Sequence, residues 1–179
     1  MPAATPLKPA DREFFNRIFV VTYSNPFAPE RKRVLERLVG KSVGKKDETV
    51  LADVFPEMDA RIARLDRQRF DALPKFHGED RALMRALYLY QTFHRHVPAV
   101  DRLIEDQLAG REAPVTYAEA VISQLTVRGF SEEEALHYVG IYFQIRRAFF
   151  FIIRSLVGQS AVMQRVREAL WNNVFTTDM

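Results

Sequence analysis

The sequence has no cysteine, which excludes disulfides, thiolate metal sites and a cysteine nucleophile and fits a cytoplasmic protein. Glycine is scarce, at seven in 179 residues. That argues against a turn-rich β fold and against a glycine loop that cradles phosphate. A membrane-spanning helix needs a run of about 20 mostly apolar residues, and none is present. The best candidate, Tyr138 to Val157, is interrupted by Gln144, Arg146, Arg147 and Arg154. Arginines at the centre of a span cost about 2.5–3.5 kcal/mol each. The opening MPAATPLKP has none of the hydrophobic run of a signal peptide. The net charge is only +3. Lys and Arg read as spread among the acids and not gathered in a block, and so modest a balance does not call for nucleic acid.

What the sequence does have is helical periodicity and aromatic bulk. Hydrophobic residues make up 47%, with 14 Phe and six Tyr, enough for a large aromatic core. Pro9-Ala10-Asp11 opens a helix whose apolar positions are Phe14, Phe15, Ile18, Phe19 and Tyr23. Asn25-Pro26-Phe27 stops it, because a residue before proline avoids helical angles. Pro29 begins a second helix that ends at Gly40, and Lys41 to Glu48 reads as a polar loop. A third helical pattern starts at Thr49, with a kink or fresh start expected at Pro56. Glu79 to His96 reads as a long helix, with Pro98 either kinking it or starting another.

Thr116 to Glu119 and Ser131 to Glu134 both fit the capping-box pattern of a helix start. The second of these helices is expected to run to Val157, with Gly158 as its stop. Ser160 caps a last helix whose face is Met163, Val166, Leu170 and Val174. No alternating strand is found. The expected fold is all-α, a single-domain helical bundle of about seven to nine helices. Residues 1–8 read as a disordered lead-in, 9–158 as the helical domain and 159–179 as a terminal amphipathic helix. No Gly, Pro or polar tail closes that last helix, so the chain reads as leading on toward a further domain.

Residues with chemistry are few. Glu134-x-x-His137 has the spacing of one half of a carboxylate-bridged di-metal site, but no second copy exists. His94 and His96, two apart, do not share a helix face. No Ser-His-Asp set, Gly-rich loop or zinc spacing is present. The expectation is therefore no enzyme, no cofactor and no metal. Val121 to Phe143 has the outline of a helix-turn-helix. Its second helix, however, offers Leu136, Tyr138, Val139, Ile141, Tyr142 and Phe143, which seek a core rather than bases.

Arg146 is the sharper feature. On a helical wheel Arg147 and Arg154 share a polar arc with Gln144 and Ser155, whereas Arg146 falls among Val139, Phe150 and Ile153. A guanidinium there must find a carboxylate or an anionic ligand, or reach water. An internal salt bridge to an acid of a neighbouring helix is the ordinary answer; an effector site and an interface contact are the alternatives. The last helix carries Trp171 and Phe175 near its end, a surplus of apolar surface suited to a partner or a second copy of the chain. The candidate interaction or effector residues are Arg146, Arg147, Trp171 and Phe175, and a homodimer is expected.

Gln144-Ile145-Arg146-Arg147-Ala148-Phe149-Phe150-Phe151-Ile152, Leu156-Val157-Gly158 and Leu170-Trp171-Asn172-Asn173-Val174-Phe175-Thr176-Thr177-Asp178 resemble the N-terminal regulatory region of bacterial sigma-54-dependent transcriptional activators. Gly129-Phe130-Ser131 and Asn25-Pro26-Phe27 are similar to that group as well. The likeness runs with gaps from about Asp11 to the end. It implies a regulatory module whose last helix leads into an AAA+ ATPase domain, followed by a DNA-binding domain, with sigma-54 RNA polymerase as the distant partner. This chain has Thr176-Thr177-Asp178 where the family has Thr-His-Asp, so no role of that histidine carries over. It also has no GxxxxGK[ST], so ATP hydrolysis by that route is not implied for it. A stand-alone helical ligand- or metal-binding protein is the alternative reading.

Overall fold

The computed structural model describes residues 7–40 and 47–175, leaving aside the side chains of 47–50, 52, 53 and 175. All the regular structure among the described residues is helical: α1 Pro9–Tyr23, α2 Arg31–Val39, α3 Asp47–Arg67, α4 Gly78–Leu108, α5 Ala118–Val127, α6 Glu132–Ser155 and α7 Ala161–Phe175. A 3-10 turn, Leu73–Lys75, lies between α3 and α4. The all-α expectation holds, at the lower end of the expected helix number.

Local chemistry explains the boundaries. Pro9 sits in the first turn of α1, where a missing N–H costs nothing. Gly40 closes α2 in the left-handed conformation, at φ 69°. Ser131 and Glu134 form the expected capping box at the start of α6: the Ser131 hydroxyl accepts from the Glu134 amide, and the Glu134 carboxylate accepts from the Ser131 amide. The Ser160 hydroxyl accepts from the Met163 amide, opening α7. Two expected helix starts shift. The second helix starts at Arg31 rather than Pro29, and α3 starts at Asp47; of the expected loop, 41–46 lies outside the described residues. Pro56 and Pro98 start no new helix, because α3 and α4 run through them. Buried Val54 and Met58 flank the first and buried Val100 follows the second, and such packing overrides the local preference.

The packing falls into two compact units. The first comprises the chain up to Ser24, Pro29–Gln91 and Val127–Gly129; the second comprises Asn25–Ala28, Thr92–Thr126 and the chain from Phe130 onward. Helix α4 supplies residues to both. In the first unit α2 packs on α1 and α3, around Phe15, Ile18, Leu35, Met58, Ile62 and Leu87. In the second, Val100, Ile104, Val121, Leu125, Ala135 and Tyr142 are buried.

Among the described side chains of the first unit two acids are buried, and both are paired. Asp11 accepts from Arg61 at 2.9 Å and from Arg64 at 2.5 Å. Asp80 accepts from the Leu7 amide at 2.9 Å and from Arg12 through two nitrogens, at 2.8 and 2.9 Å. Leu7 is buried, so the expected lead-in is fastened at its last residues; residues 1–6 lie outside the description. The hydrogen bonds from Arg12 hold the Asp80 carboxyl below its ordinary pKa, aided by the Leu7 amide and opposed by burial. A depressed carboxylate stabilises the fold above its unfolded value of about 3.9, and that contribution is lost as pH falls through the lower folded value. Thermal unfolding at pH 7 and pH 3 is expected to show a smaller acid-side loss in Asp80→Asn than in the parent. An identical acid-side loss in both would show that the pair contributes nothing.

The turn between α5 and α6 is held closely. The Leu73 amide donates to the Arg128 carbonyl at 2.8 Å, and the Arg128 guanidinium binds Asp66 and the Asp71 carbonyl. Gly129 has φ +90°, and a Cβ there would meet Pro74 Cδ at 2.8 Å. Backbone strain of this kind costs about 1–3 kcal/mol. Gly129→Ala is expected to lose at least that much in denaturant unfolding; an unchanged midpoint would contradict the close approach.

Candidate functional site

Arg146, on the buried arc of α6, meets a carboxylate. Its Nε donates to Asp101 Oδ1 at 2.5 Å and a terminal nitrogen donates to Oδ2 at 2.7 Å. This is the planar fork of guanidinium on carboxylate, the stronger form of such a bond. The guanidinium also stands 5.0 Å from the Phe149 ring centre. Of the three alternatives for Arg146, the structure shows the internal salt bridge. Arg147 is exposed and lies against rings of its own helix, 5.8 Å from Phe143 and 5.7 Å from Phe151. Two turns further along, Arg154 covers Phe150 at 4.2 Å and reaches Glu105 at 3.4 Å.

Trp171 belongs to a three-ring cluster. Phe27 stacks on Phe149 at 5.4 Å, and Trp171 meets both edge-on, at 5.7 and 6.3 Å. Asn25 holds the same place from the other side of its proline. Its amide nitrogen donates to the Glu168 carbonyl at 3.1 Å and to Asn172 Oδ1 at 2.8 Å, while its oxygen accepts from the Phe27 amide at 2.8 Å. The short Asn25-Pro26-Phe27 segment is thus folded into a plug against α7. A second fastening comes from α7 itself: Arg167 donates to the Leu156 carbonyl, an orphan acceptor at the end of α6, and to the Gly158 carbonyl in the turn that follows.

These contacts define an inner edge of α7, the half-buried Met163, Arg167 and Trp171 at four-residue spacing. The next row faces outward: Val162, Val166, Leu170 and Val174 are 58, 37, 41 and 51% exposed. The expected face of this helix is therefore split. Met163 turns in, whereas Val166, Leu170 and Val174 stay out. Trp171, expected as a partner contact, is committed to the internal cluster. The side chain of Phe175 lies outside the described residues.

Glu134 is occupied by the cap of α6. Burial lowers the pKa of His96, with the neighbouring Gln124 side chain opposing that shift. Among the described residues no group of three or more His, Asp or Glu side chains is placed to hold a metal ion. Among them, too, no helix is long and apolar enough to cross a membrane. Sequence reasoning missed Asn25, Phe27, Asp101 and Arg167 as members of the site. Only the Asn-Pro-Phe triplet left a signal, first as a helix stop and then as part of the family likeness.

The fold and site together define an all-α protein whose last helix is docked on one edge and apolar on the other. No protein-family model, curated protein or solved structure matches the chain.

Proposed function

We propose that the chain is a regulatory domain of a sigma-54-dependent transcriptional activator, and not an enzyme. It would act in the cytoplasm by contacts through α7, with a homodimer partner and with an AAA+ ATPase domain of the same protein. Sigma-54 RNA polymerase and DNA would be engaged through domains other than this one. One observation carries the reading. The segments that bear the resemblance, Asn25-Pro26-Phe27, Arg146 to Phe149 and Trp171-Asn172, are more than 100 residues apart at their extremes, yet they meet in one cluster that seats α7. A helix gripped on one edge and apolar on the other is built to pass the state of its own domain to whatever covers it.

Control of this kind needs a signal that binds one state better than the other, with a coupling of about 1–3 kcal/mol. In this reading α7 is the two-position element, seated on Phe27 and Phe149 as observed or released from them by the signal. The reading frame beyond Met179 tests the proposal. A GxxxxGK[ST] signature within the next few dozen codons is expected, and a stop codon directly after Met179 would contradict it.

A further inference from the structure

The chain-wide balance of +3 hides a division of charge. The first unit carries 18 Lys and Arg against 13 Asp and Glu, a net of +5; the second carries eight against ten, a net of −2. The excess is concentrated. Residues 31–46 contain seven Lys or Arg and a single acid, Glu36. The described part of this stretch is α2, whose own chemistry narrows what it can bind. Its apolar side is already used, because Leu35 and Leu38 are buried in the core. Arg31 is also used, donating to the Val21 carbonyl and the Ser24 hydroxyl at the end of α1. Lys32 lies 3.9 Å from Glu36. Arg33 and Arg37 remain, one helical turn apart and exposed, and no acid among the described side chains pairs with either.

In the same unit, the last turns of α1, which packs on α2, expose Phe19, Val20 and Tyr23. The Phe19 and Tyr23 ring centres lie 4.7 Å apart. An amphipathic helix can lie in an anionic membrane only if its apolar face is free, and that of α2 is spent on the core. Guanidinium forks fit phosphate oxygens. Exposed rings give bases a stacking surface, and give an acidic peptide no comparable partner.

We infer that the α1/α2 face of the first unit binds the phosphate backbone of a nucleic acid, without sequence preference, through Arg33 and Arg37. The regulatory reading places DNA contact in other domains, so this inference stands or falls separately from it. The test is fluorescence anisotropy of the whole chain with a labelled 20-nucleotide single strand and a duplex of the same length, each titrated at several salt concentrations. Binding of either probe should weaken steeply with salt, because phosphate contacts release counterions. The double variant Arg33→Ala, Arg37→Ala should bind about tenfold more weakly at low salt. Its log–log salt slope should be shallower by about 1.4–1.8, from roughly 0.7–0.9 per contact. Arg165→Ala, an exposed arginine of the second unit, should bind as the parent does. Both exposed substitutions should leave the thermal midpoint in place, which separates lost contact from lost fold. A tighter single strand would assign the Phe19–Tyr23 pair to base stacking, and a tighter duplex would assign the binding to backbone charge alone. The inference is overturned if neither probe shows salt-dependent binding, or if the double variant keeps the parent's affinity and slope.

Discussion

Trp171→Ala is expected to release α7. Truncating a fully buried tryptophan costs about 3–5 kcal/mol; Trp171 is half-buried, so about 2–3 kcal/mol is the scale here. The loss falls on one place. The indole is edge-on to both Phe27 and Phe149, so its removal opens a gap between α6, α7 and the 25–28 segment at once. The two Asn25 bonds to Glu168 and Asn172 depend on the same seat. Amide exchange is the direct readout. A loss of about 2 kcal/mol corresponds to roughly thirtyfold less protection, expected across α7, while Val121 and Leu125 of α5 stay protected. Because Trp171 is the single tryptophan, the gentler Phe27→Leu change can be followed in the indole's own fluorescence. It should become more accessible to a collisional quencher. Unchanged α7 protection in Trp171→Ala would mean that the cluster does not hold the helix.

Arg146→Ala is expected to cost about 2 kcal/mol, within the range of about 1.5–3 kcal/mol for hydrogen bonds to charged groups. The side chains of Arg146 and Asp101 are 21% and 28% exposed, so water screens part of the attraction and the upper end of that range does not apply. The larger part of the cost is the carboxylate left behind, half-buried and without its counter-charge. Arg146→Lys should recover little, since an ammonium cannot make the two-pronged contact. In a double-mutant cycle with Asp101→Ala the second substitution should cost less than it does alone, with a coupling of about 1–2 kcal/mol. A melting temperature unaffected by Arg146→Ala would remove the structural role assigned to the pair.

Most helix positions were legible because local chemistry writes them. Gly40, the Ser131–Glu134 box and Ser160 mark ends through bonds made within four residues. Pro56 and Pro98 left a kink or a fresh start open for the opposite reason: whether a proline ends a helix is settled by what packs around it, and that is not local. The same division runs through the site. The wheel placed Arg146 on a buried arc and required a partner, but Asp101 is 45 residues away, and several acids satisfied the requirement equally. Periodicity marked α7 as amphipathic but could not separate the row that docks, Met163, Arg167 and Trp171, from the row that stays exposed. One of those inner residues is an arginine, which no hydrophobic pattern would select. The basic stretch from Arg31 corrects the reading that Lys and Arg are not gathered in a block, a reading that averaged charge over the whole chain.

Light scattering of the purified chain, alongside Val166→Asp, Leu170→Asp, tests the central claim most directly: that the outward row of α7 exists to be covered. A ridge of residues four apart is the kind that interlocks with an identical ridge on a second helix. The parent is predicted to reach twice the chain mass as concentration rises, and the variant to stay at the chain mass with Trp171 fluorescence unchanged, its seat being on the other edge. A parent that remains a monomer at the highest attainable concentration, or a variant that dimerises as readily as the parent, would contradict the account.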